Sequence, residues 1–153
     1  MIKSVRVNYD PIDEVNYRYR LAINYLREAN EAFSRGGDWR GGTVAAAQLS
    51  AENAAKAVIA IYRIPSWSHD PSGELEDVMA NLPRNLTELV SELAVIVRRL
   101  APEHGRSTYG EPERGLTPWE IYSRGDAEAA LGMARRAVDI MRAVLKSLGL
   151  EIS

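Results

Sequence analysis

Apolar side chains recur every three to four positions through most of the chain, and no stretch alternates as a strand would. Asp10-Pro11 opens the first such pattern, with Asp as N-cap, Pro at the first helical position and Asp13 and Glu14 in the first turn. Val15, Ala22, Leu26, Ala29 and Phe33 carry it to about Arg35, where Gly36-Gly37 stops it. Asp38 is the candidate cap of a second helix. Gly41-Gly42 weaken its start by about 1 kcal/mol each relative to Ala, so its firm part is expected from Thr43 to Pro65. Leu75, Val78 and Met79 support a short helix. Leu86, Leu89, Leu93, Val97 and Leu100 predict a longer one, from about Asn85 to Leu100. Residues 101–118 are rich in Pro and Gly and read as a loop. Thr117 and Ser123 each resemble the start of a capping box, and Ser123 is the preferred start of a last long helix ending at Gly149.

The pattern predicts an all-α fold: an up-down four-helix bundle with an additional short helix. Residues 10–149 form one domain, 1–9 a loose arm and 150–153 a tail. The second helix is the centre of the scheme. Its stripe of Ala residues allows close approach by neighbours, and Glu52, Asn53 and Lys56 interrupt it. Glu52 and Lys56 are spaced as an i,i+4 pair. Glu52 is read as lying on a solvated face, and the placement of Lys56 stays open between core, dimer seam and solvent.

Composition narrows the chemistry. The chain of 153 residues has no cysteine, which excludes thiolate nucleophiles, disulfides and Cys-based metal sites. His69 and His104 are the whole histidine complement, so no His-rich metal centre is expected, and no cofactor. The net charge of −2 supplies no global field for nucleic acid. No apolar run approaches the ~20 residues that span a bilayer. With no signal-peptide pattern at residues 1–14, the expected compartment is the cytoplasm. Trp39, Trp67 and Trp119 lie near helix ends and are expected to plug the bundle. His69 is expected to donate to backbone at a helix entry.

The order of features resembles the HEPN domain family. The matching residues are Leu21-Ala22, Tyr25-Leu26-Arg27-Glu28-Ala29, the central Ala51-Glu52-Asn53-Ala54-Ala55-Lys56-Ala57, Pro65 with Ser68-His69-Asp70, the Leu93–Leu100 helix, Tyr109-Gly110, and Tyr122 with Asp126–Leu131 and Ala134-Arg135. They span roughly residues 12–148. The resemblance implies a four- to five-helix bundle, a homodimer, and a minimal nucleotidyltransferase as partner in a toxin–antitoxin-like pair. It also implies that active members cut RNA without metal, using an Arg followed after four to six residues by a His.

Arg99 and His104 have four residues between them, and Arg98 and His104 five, so both pairs fit. A His that titrates near neutrality can move the 2′-hydroxyl proton, and an Arg can hold the phosphate. Arg98, Arg106, Tyr109 and Lys56 are the accompanying candidates for nucleotide or nucleic-acid binding. Against cleavage, Leu100 stands where active members carry a polar residue, and Pro102 interrupts the helix. Two readings follow. One is a non-catalytic nucleotide- or RNA-binding module. The other is a metal-independent endoribonuclease built on Arg99 and His104. The acidic residues Glu103, Glu111 and Glu113 dilute the local cluster of Arg98, Arg99, Arg106 and Arg114.

Overall fold

A computed structural model describes residues 10–150. The proposed arm 1–9 and residues 151–153 of the tail lie outside it. Seven α-helices follow in order: α1 (Pro11–Arg35), α2 (Arg40–Ala60), α3 (Ser72–Val78), α4 (Thr87–Leu100), α5 (Glu103–Tyr109), α6 (Pro118–Ile121) and α7 (Arg124–Ser147). The fold is all-α, as the periodicity requires, with three short helices beside the four long ones. Among the described residues the one β feature is an isolated antiparallel bridge between Glu111 and Leu116.

Asp10 caps α1 by accepting from the Ile12 amide at 3.0 Å. Gly36 and Gly37 both take positive φ and turn the chain back. α1 and α2 then run antiparallel, so that Ser50 Oγ donates to the Ala22 carbonyl at 2.7 Å and Arg18 reaches Asn53 Oδ1 at 3.2 Å. α7 lies against both. Ser123 and Asp126 close its capping box.

α2 is the hub. It touches each of the other six helices, and 17 of its 21 residues are buried. A helix wetted on no side has no polar stripe to display. Its buried alanines let α1 and α7 approach, while Val58 and Ile59 meet Leu93, Leu100, Ile140 and Met141 in the same core. Each such large side chain contributes about 1.5–3 kcal/mol by leaving water.

Several expectations need correction. α2 begins at Arg40, directly after a 3-10 turn at Gly37–Trp39, and Asp38 does not cap it. Gly41 lies close to the Pro118 carbonyl and the Tyr122 ring, where an added Cβ would stand 3.4 and 3.7 Å from them. α2 ends at Ala60, well before Pro65. The stretch 101–118 contains α5 and a 3-10 turn; its Pro and Gly mark the ends of these elements. The three tryptophans do not plug the bundle: Trp39, Trp67 and Trp119 are exposed, Trp67 at 92%.

Candidate functional site

Gln48, Glu52 and Lys56 lie one turn apart on α2 and are all buried, Glu52 at 5% exposure and Lys56 at 3%. The solvated-face reading of Glu52 is therefore overturned. Every residue of α2 from Ser50 to Ala60 is buried, so this part of the helix has no water-facing side. The Lys56 ammonium donates to Glu52 Oε2 at 3.1 Å, and Gln48 Nε2 donates to Glu52 Oε1 at 3.0 Å. The geometry places Lys56 in the core.

Two histidines arrive at this ladder from outside α2. His69 comes from the loop between α2 and α3, held by Ser68 Oγ accepting from the Asp70 amide and Asp70 Oδ1 accepting from the Ser72 amide. The start of that loop is anchored by Glu74, which accepts from Ser66 and Arg63. Partial burial raises the Glu74 carboxyl, but those bonds outweigh it and leave the group below the ordinary carboxylate range. His104 comes from the first turn of α5, which packs on α2. His69 Nδ1 is 3.0 Å from Glu52 Oε1, and His104 Nδ1 is 3.0 Å from Gln48 Oε1. The rings stack, with centroids 3.5 Å apart and planes 16° apart. His69 was expected to donate to backbone; its Nδ1 faces a carboxylate instead.

The donor–acceptor logic fixes the tautomers. A carboxylate accepts, so His69 Nδ1 donates to Glu52. Gln48 spends its amide N–H on that carboxylate, so its carbonyl faces His104 and His104 Nδ1 donates as well. In the neutral rings both Nε2 atoms then carry free electron pairs.

A second polar locus lies on the other side of α5. Arg106 donates to Glu103 and Glu111, both at 2.6 Å, and sits over the Tyr122 ring. Arg114 donates to Glu111 at 2.6 Å. Tyr122 Oη donates to Glu103. The bond to Glu111 holds the Arg106 guanidinium above its ordinary value. Arg106 and Arg114 hold Glu111 below its own. Burial, and next the Glu103 carboxylate, push the Tyr122 phenol well up. Glu103, Arg106 and Tyr122, with Arg99, Asp126 and Met133, line a cavity of about 200 Å³.

Arg99 and His104 are engaged with different groups. Arg99 lines the cavity, and His104 belongs to the α2 ladder. Arg98 is engaged with Glu76, Arg106 with two carboxylates, and Tyr109 stands exposed at the end of α5. A family model for the HEPN domain matches residues 15–144. The chain belongs to the HEPN domain family. No curated protein and no solved structure matches it. The HEPN match runs from within α1 to within α7 and includes both polar loci.

Gln48 and His69 were missed as site residues. The i, i+4, i+8 spacing of Gln48, Glu52 and Lys56 inside an apolar helix was the available signal.

Proposed function

We propose that this HEPN protein is a dimeric module that binds nucleotide or RNA through phosphate contacts without cutting it, and that it pairs with a minimal nucleotidyltransferase in a toxin–antitoxin-like system. What supports this reading is that Arg99 lines the cavity while His104 is engaged with Gln48 and His69, which do not line it. A metal-free cleavage site needs a cation and a proton carrier on one phosphate. Here the Nδ1 of His104 is held by Gln48 and one face of its ring by His69. Arg98, Arg106 and Lys56 are neutralised by carboxylates. Among the described residues Arg99 has no ion pair, and it lines the cavity beside Arg106, where it is the group best suited to receive a phosphate. Ile64 and Trp67, exposed together on the α2–α3 loop, support a further covered surface in a dimer.

The test incubates the purified protein with single-stranded RNA and chelator while binding is followed by fluorescence anisotropy. Intact RNA is expected, with affinity falling about tenfold in Arg99→Ala, the loss of one charge-assisted phosphate contact. Cleavage that disappears in both Arg99→Ala and His104→Ala would establish the endoribonuclease reading instead. Light scattering should give twice the 17.0 kDa chain mass.

A further inference from the structure

We propose that Glu52, His69 and His104 form a binding site for a divalent transition-metal ion of the zinc type. Two histidines alone give no His-rich centre in the sequence. The fold brings both to one point. One ligand atom from each of the three residues lies within 4.8 Å of the others; bonds of about 2.0–2.2 Å allow donors at most about 4.4 Å apart, so a small inward movement of the half-exposed His69 closes the set. Two imidazoles and a carboxylate are a donor set that suits zinc and its neighbours in the first transition row.

The surroundings are arranged as metal sites arrange them. Gln48 Oε1 takes the Nδ1 proton of His104, which fixes the ring and leaves Nε2 as a lone-pair donor. Gln48 Nε2 and Lys56 Nζ hold the Glu52 carboxylate from the core side. Glu52 Oε1 and His69 Nδ1, 3.0 Å apart, are spaced as neighbouring ligands are; the ion displaces the proton between them, which leaves to solvent. His69 is half exposed and supplies the entry side. The stack brings the two imidazoles within 3.5 Å of each other; ion binding turns the half-exposed His69 ring out of the parallel arrangement so that the in-plane lone pairs converge. This site would serve structure or ligand capture, and it does not depend on RNA binding.

The experiment titrates ZnCl2 into tag-free protein by calorimetry. It is repeated with CoCl2, read by visible absorption, and with the histidine side-chain nitrogens read by NMR. One ion per chain is expected, with both histidines shifting on zinc addition and no response to MgCl2. Affinity should drop at least tenfold in His69→Asn, His104→Asn and Glu52→Gln. Glu52→Gln can fail to fold; His69→Asn sits on a half-exposed loop and carries the test alone, with circular dichroism as the check on folding. Absence of saturable zinc binding, or binding that His69→Asn and His104→Asn leave unchanged, overturns the proposal.

Discussion

The two polar loci on either side of α5 are built from the same kinds of residue and differ in what water can reach. Glu52 and Lys56 are sealed in the core, whereas Arg114 and its partner Glu111 lie at the surface. The exposed network loses little if broken, because solvent takes over the abandoned charge. The buried pair was costly to desolvate, so its attraction mainly repays that cost, and removing one partner strands the other. A short ion pair at the rim and one in the core therefore imply opposite things about tolerance to change.

The largest effect should come from breaking the buried side. Glu52→Ala leaves the Lys56 ammonium without its carboxylate and should cost about 3–5 kcal/mol in urea unfolding. The double variant Glu52→Met with Lys56→Met should recover most of that loss. A single variant costing under about 1 kcal/mol would erase the contrast, since that is the range of exposed pairs.

Next comes the hinge of the exposed side. Gly110 ends α5 at φ 70°, and a Cβ there would lie 2.1 Å from the Leu116 carbonyl oxygen. The Glu111–Leu116 bridge, with N–O distances of 2.8 and 3.1 Å, holds that approach in place. Gly110→Ala should cost about 2 kcal/mol or more in the same unfolding measurement.

The smallest effect sharpens the comparison through pH. Glu111 is held below its ordinary value of 4.5 by hydrogen bonds from Arg106 and then Arg114. A carboxyl lowered on folding stabilises the folded state fully above its unfolded value, and this contribution fades as pH falls through the lower folded value. Between pH 7 and 5 the stability difference between wild type and Glu111→Gln should be constant. Below about 4.5 it should shrink. A difference that grows on acidification contradicts this sign.

The bundle was legible because burial on one face writes itself into spacing, as at Val15–Phe33 and Leu86–Leu100. The caps at Asp10 and Ser123 were legible because they rest on contacts within three residues. Glu52 was less legible: its i,i+4 spacing to Lys56 is that of a solvated pair, whereas the alanines around it on the helix imply burial. α5 was missed because Pro102 and Gly110 bound it and Gly105 interrupts its short pattern. The histidine stack rests on the return of the chain across α2, a tertiary event that no local window contains.

The many alanines of α2 have a consequence for mapping this protein. Seven of its 21 residues are alanines already buried. An alanine scan, the usual way to find where a protein is vulnerable, reads nothing at those positions. Along this helix vulnerability runs in the opposite direction, toward enlargement: Ala51→Leu or Ala55→Leu would wedge its neighbours apart at about 1–3 kcal/mol or more. The hub of the fold would look silent in a truncation map and prominent in a substitution map.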